Sequence, residues 1–148
     1  MQRKRIPKRF RLPYTAEQVY TMLYASCRAE VTARMRTFNA TAEYKQHIWD
    51  ISQWLVSNDS KFGLFLSGNK GNGKTTMVYA LKALYAYVHS DSTYKPECKM
   101  HELSYTGFRI VTAKELVLLA KAYNNPTKEN SDAVREYKLL RNVEVLCI

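Results

Sequence analysis

The residues with the clearest chemical capacity form one short run, Gly68 to Thr75, which reads Gly-Asn-Lys-Gly-Asn-Gly-Lys-Thr. The run matches the pattern G-x-x-x-x-G-K-[ST], in which backbone amides surround phosphate groups. Gly68 and Gly73 permit backbone dihedral angles and close approaches that a Cβ atom would prevent. Lys74 supplies a mobile positive charge for the β- and γ-phosphates, and the hydroxyl of Thr75 is a ligand for Mg²⁺. The spacing therefore predicts a site for a nucleoside triphosphate and magnesium.

The residues on either side of this run distinguish a nucleotide site from a glycine-rich turn that binds nothing. Residues 62–67 are a short apolar stretch, typical of a buried parallel strand. After the run, apolar side chains recur at helical spacing from Met77 to Val88. Strand, glycine loop and helix is the arrangement that the motif requires. We therefore interpret the run as a nucleotide site.

The rest of the chain predicts helices and strands in alternation. Thr112 and Glu115 form a capping-box pattern that opens a helix, and Asn124 to Pro126 would end it. The predicted helices cover residues 16–36, 41–57, 76–88, 112–124 and 131–141, and the predicted strands cover 62–67, 108–111 and 143–148. This alternation predicts an α/β fold with a three-layer parallel sheet, preceded by N-terminal helices.

Composition and cysteine usage limit the class of protein. A chain of 148 residues with 46% hydrophobic side chains suits one globular domain. No apolar run approaches the roughly 20 residues that a membrane-spanning helix needs, so we expect no membrane contact. The cysteines are odd in number and scattered, at Cys27, Cys98 and Cys147. This pattern favours a reducing, cytoplasmic compartment.

Positive charge is concentrated at the N-terminus. Residues 1–11 contain six basic side chains and no acidic one, in a chain whose net charge is +10. Such an arm gains affinity for nucleic acid by releasing counterions from the phosphate backbone. A solubilising tail is an equal alternative. The candidate nucleic-acid contacts, with single-stranded DNA as the expected partner, are Arg3, Lys4, Arg5, Lys8, Arg9 and Arg11.

Several segments together resemble a known family. Residues 63–75, with the preceding amphipathic helix, resemble the AAA+ core of bacterial replicative helicase loaders of the DnaC type, and are similar also to transposition helper ATPases of the IstB type. Residues 108–116 resemble the second strand and helix of that core, and 139–148 resemble the approach to its Walker B acids. The resemblance covers roughly residues 41–148 and implies a partial, AAA+-like domain there. Before it we expect a basic arm at 1–14 and a helical segment at 15–40, which carry no motif of this family.

The family implies ATP and Mg²⁺ as cofactors, self-association into a ring or filament, and a replicative helicase or a transposase as partner. Carried over by position, the loop wraps the triphosphate, Lys74 neutralises the γ-phosphate, Thr75 ligates Mg²⁺ and Thr76 supports the start of the helix. The residues implied to bind the nucleotide are Gly68, Asn69, Lys70, Gly71, Asn72, Gly73, Lys74, Thr75 and Thr76.

The last predicted strand stops at Ile148, and the resemblance places the first Walker B acid directly after that residue. Glu144 lies inside that strand and does not replace it. We therefore expect a fragment of a longer ATPase, in which nucleotide binding is better supported than hydrolysis. Two alternatives remain open: a small phosphotransferase, and a nucleic-acid-binding module that holds ATP without hydrolysing it. The sequence does not discriminate ATP from GTP.

Overall fold

The computed structural model describes residues 11–58, 63–90, 108–141 and 146–148. Within them, two helices precede the glycine-rich run and a third begins inside it. The elements are α1 (Ala16–Ala33), α2 (Ala42–Val56), α3 (Lys74–Ser90), β1 (Arg109–Ile110), α4 (Ala113–Asn124), α5 (Ser131–Leu140) and β2 (Leu146–Cys147). The helices lie close to their predicted positions, whereas the strands are much shorter.

The predicted fold class is wrong: the described residues do not form a three-layer α/β structure with a parallel-sheet core. They form five helices and one sheet of two short parallel strands. Residues 63–67, predicted as a buried strand, have no strand pairing with any described residue, and the side chain of Phe65 is 89% exposed. An apolar run becomes a strand only where a neighbouring strand accepts its backbone hydrogen bonds, and periodicity does not reveal that neighbour.

The chain divides into two compact units, Met1–Leu84 and Tyr85–Ile148. The domain boundaries predicted near residues 14 and 40 stay a prediction. None of the helices in the described ranges has the length and apolar character needed to cross a membrane.

The core of the first unit lies between α1 and α2. Val19, Leu23 and Cys27 recur every four residues on α1 and are buried, as one face of a helix requires. The predicted stripe on α2 is confirmed for its last three members, since Ile48, Ile51 and Leu55 are buried. α1 begins with a capping box of Thr15 and Gln18, and Thr41 caps α2 through the backbone N–H of Tyr44.

The second unit contains the parallel strand pair. Arg109 lies opposite Leu146 and Ile110 opposite Cys147, and the N–H of Val111 continues the ladder to the Cys147 carbonyl at 3.0 Å. The predicted capping box is confirmed: Thr112 and Glu115 each bond the other's backbone N–H at the start of α4. Part of the predicted last strand, residues 143–145, lies outside the described residues.

Candidate nucleotide-binding site

The glycine-rich run forms a loop that only glycine accommodates without strain. Gly68, Gly71 and Gly73 have φ angles of 139°, 87° and 76°. These values fall in the region that a Cβ atom disfavours. The sequence therefore supplies glycine where the loop needs left-handed or mirror-extended backbone, as a phosphate-surrounding loop requires.

Lys74 closes this loop with its own side chain. The Nζ atom donates to the carbonyls of Gly68 at 2.7 Å and Asn69 at 2.6 Å. The ammonium group is thus held across the loop by two neutral acceptors. A phosphate would compete with these carbonyls for the same donor, because a charged acceptor makes the stronger hydrogen bond.

The first turn of α3 begins at the same place. The first helical hydrogen bond runs from the Met77 N–H to the Gly73 carbonyl at 2.9 Å. The backbone N–H groups of Lys74, Thr75 and Thr76 therefore have no acceptor within the helix. Thr75 is exposed, and its hydroxyl has no hydrogen-bonding partner among the described residues. The helix start thus offers both amide donors and a hydroxyl oxygen to a ligand.

Tyr44 of α2 lies directly against the loop. Its hydroxyl donates to the Gly73 carbonyl at 3.4 Å, and a Cβ atom on Gly73 would come within 2.8 Å of the tyrosine ring. The same hydroxyl is 3.9 Å from the Sγ atom of Cys27 on α1. Burial raises the pKa of the Cys27 thiol to about 11 and raises the pKa of Tyr44 above its usual value. Both groups are therefore uncharged at neutral pH and add no negative charge beside the loop.

Two adjoining clefts surround the loop, and both lie within the first unit. The phosphate cleft has a volume of about 350 Å³ and contains four cationic side chains. Its lining residues are Arg34, Arg36, Lys70, Gly71, Asn72, Gly73, Lys74, Thr75 and Thr76. The second, the aromatic cleft, has a volume of about 530 Å³ and is lined by Phe38 and Tyr44 together with polar groups such as Asn39, Glu43 and His47. The two clefts share Arg34, Arg36 and part of the loop.

The structure thus brings together most of the predicted site residues, since those from Lys70 to Thr76 line one cleft. Gly68 and Asn69 do not line that cleft, and their backbone carbonyls accept hydrogen bonds from Lys74. In the predicted basic arm, Arg11 is exposed, and Arg3, Lys4, Arg5, Lys8 and Arg9 lie outside the described residues. The described ranges contain no group of three or more His, Cys, Asp or Glu side chains arranged for a metal ion.

Sequence reasoning missed Arg34 and Arg36. It extended the first helix to residue 36, whereas α1 ends at Ala33 and Met35 adopts a φ angle of 56°. A local signal was absent, because neither glycine nor proline marks this turn. Arg34 lies at the loop through contacts with Thr76 and Tyr79, residues more than 40 positions away in the chain, and no motif in the sequence predicts them.

Comparison of the chain with family models, with curated proteins and with solved structures finds no match. The resemblance to helicase loaders and transposition helpers therefore stays a prediction that depends on the quoted sequence segments.

Proposed function

We propose that the chain binds a nucleoside triphosphate, ATP with Mg²⁺, through the loop from Gly68 to Thr76. The observation that carries this proposal is the coincidence of the motif with its local geometry. Three glycines have positive φ angles, the lysine spans the loop, and a helix begins immediately after it. This combination favours an anion-binding loop over a glycine-rich turn.

The properties of the two clefts favour a nucleotide, rather than a simple anion, as the ligand. The phosphate cleft has the charge to accept a polyphosphate, because its four cationic side chains meet no acidic one among the lining residues that the structure describes. The aromatic cleft adjoins it and is lined by Phe38 and Tyr44 together with hydrogen-bonding groups. Small-molecule sites combine apolar walls with a few polar groups in this way. We place the nucleoside in the aromatic cleft.

Magnesium fits the same site through Thr75. Its hydroxyl is exposed, lines the phosphate cleft and has no partner among the described residues. A hydroxyl oxygen and phosphate oxygens are ligands that Mg²⁺ prefers, with water completing the shell. The ion would bridge two phosphates and offset their charge. Thr75→Ala is therefore expected to weaken ATP binding only when Mg²⁺ is present, and Thr75→Ser to restore it.

The decisive experiment compares ATP binding by the wild type and by Lys74→Ala, measured by calorimetry. We expect a loss of affinity of about tenfold or more, since a charged hydrogen-bond donor to phosphate is removed. Lys45→Ala is the matched control, because Lys45 is exposed on α2 and lines neither cleft. Equal binding by the wild type and Lys74→Ala would overturn the proposal.

A role on DNA is a second proposal, and the basic run at residues 1–11 favours it. As in helicase loaders and transposition helpers, ATP binding would then serve a partner that acts on DNA. Binding of single-stranded DNA should weaken steeply with salt, because counterion release drives it. Deletion of residues 1–11 should remove most of that salt dependence. If the deletion leaves the dependence of DNA affinity on salt concentration unchanged, residues 1–11 are better explained as a solubilising tail.

A further inference from the structure

We propose that Arg34 and Arg36 bind the terminal phosphate of the nucleoside triphosphate, so that the turn after α1 distinguishes a triphosphate from a diphosphate. This inference rests on the proposed nucleotide site and adds to it a turn from a separate part of the chain. The observation that carries it is that both arginines line the phosphate cleft together with Lys70 and Lys74.

Arg34 has three contacts, two with the beginning of α3 and one with α1. Its guanidinium donates to the hydroxyl of Thr76 at 3.5 Å, lies 5.8 Å from the centre of the Tyr79 ring, and is 3.7 Å from the carboxylate of Glu30. Thr76 follows directly on Thr75, the proposed magnesium ligand. The positive charge of Arg34 is therefore held at the edge of the phosphate site before any ligand binds.

Arg36 has a different environment. Its side chain is exposed, and its guanidinium makes no hydrogen bond or ion pair with any residue of the described ranges. Its backbone N–H bonds the Val31 carbonyl at 3.2 Å, which ties the turn to the last part of α1. The backbone is thus anchored, and no residue in the described part of the chain competes with a ligand for the donors of the charged group.

The chemistry of these side chains matches a terminal phosphate. A guanidinium presents donors in a planar fork and can bond two oxygens of one phosphate through parallel hydrogen bonds, a geometry that the single nitrogen of an ammonium does not provide. Four like charges around one cleft, of which that of Arg34 is partly offset by Glu30, repel one another, and this repulsion is relieved when an anion binds. The loop amides account for the inner phosphates, and Lys74 reaches the β- and γ-phosphates. The arginine pair then adds donors to the outermost group, which a diphosphate lacks.

The test compares Mg-ATP and Mg-ADP binding by Arg36→Ala and by Arg28→Ala. Arg28 is exposed on α1 and lines neither cleft, so its removal changes the net charge equally. We expect Arg36→Ala to lower affinity for Mg-ATP by about tenfold and for Mg-ADP by less than about twofold. Arg28→Ala should change neither affinity by more than about twofold. Thermal unfolding of each variant would show that the fold is retained.

Arg36→Lys separates geometry from charge. If the guanidinium bonds the phosphate with two donors, lysine restores only part of the lost Mg-ATP affinity. Equal losses for Mg-ATP and Mg-ADP, or equal losses in Arg36→Ala and Arg28→Ala, would overturn the inference. If Lys74→Ala abolishes binding while Arg36→Ala binds like the wild type, the inference fails and the proposed function stands. If the wild type binds no nucleotide, the proposed function fails as well.

Discussion

In the two helix pairs of this chain, α1 with α2 and α4 with α5, the first helix begins with the same local signal, but the pairs bury very different numbers of side chains. α1 and α4 each open with a complete capping box, and each has an amphipathic pattern. In the first pair seven residues are buried, whereas in the second only Leu140 is. On α4, Val117 and Leu118 are more than half exposed. Local signals therefore decide where a helix forms, and tertiary packing decides whether that helix can fix the position of neighbouring side chains.

This difference explains why the candidate site lies beside the first pair. The core between α1 and α2 fixes both the turn with Arg34 and the ring of Tyr44, and each contacts the loop or the first turn of α3. A site needs such support, because side chains on a weakly packed scaffold lose the geometry that binding requires.

The largest expected effect contrasts the two pairs directly. Ile48→Ala, in the buried face of α2, should lower the free energy of unfolding by about 2–5 kcal/mol, because it leaves a cavity in a closed core. Leu118→Ala, on the exposed face of α4, should cost less than about 0.5 kcal/mol. Chemical denaturation of both variants measures the difference. Similar costs would show that α4 is covered in solution.

A second prediction concerns the contact between the first pair and the loop. Gly73→Ala should lower the free energy of unfolding, measured by chemical denaturation, by about 2–3 kcal/mol. The substitution combines a positive φ angle with a contact of 2.8 Å between the new Cβ atom and Tyr44. Gly71→Ala is the matched control, since its φ angle is also positive but a Cβ atom there meets nothing within 4 Å. It should cost about 1 kcal/mol. Equal losses would show that backbone strain alone, and not Tyr44, requires glycine at position 73.

The buried thiol gives a prediction about pH. The pKa of Cys27 is raised from 9.0 to about 11, so folding favours the protonated thiol. Its contribution to stability is complete below pH 9 and is lost as pH rises from about 9 to 11. By pH 10 the loss should be about 1.4 kcal/mol. The free energy of unfolding of the wild type and of Cys27→Ala, measured between about pH 8 and 11, would test this. The variant lacks the thiol's contribution to the decrease of stability with pH. Identical slopes would contradict a raised thiol pKa.

The smallest expected effect is the same in both helix pairs. Thr15→Ala and Thr112→Ala each remove a side-chain acceptor from a helix start, and each should cost about 1 kcal/mol. The corresponding serine variants keep the hydroxyl and should be near neutral. Circular dichroism with chemical denaturation gives both numbers. A much larger cost at Thr15 would mean that tertiary packing amplifies the cap in the first pair.

Much of the local structure was predictable from the residues. Thr112 and Glu115 identify a helix start because the two side chains satisfy orphan backbone donors nearby in the chain. The run from Gly68 to Thr75 likewise carries its own conformational requirement in its glycines. The strand predicted at 62–67 failed for the opposite reason, since Phe65 and its neighbours are apolar but no described strand pairs with them.

The sequence by itself determined the helix positions, the glycine loop and the lysine beside it, because each depends on residues a few positions apart. Only the tertiary structure decided that Arg34, Arg36 and Tyr44 lie at that loop, and that the apolar run before it forms no strand among the described residues. These features depend on which surfaces of distant segments meet. The hydrophobic effect is not directional and favours many packing arrangements almost equally. The shape complementarity of particular side chains selects one of these arrangements.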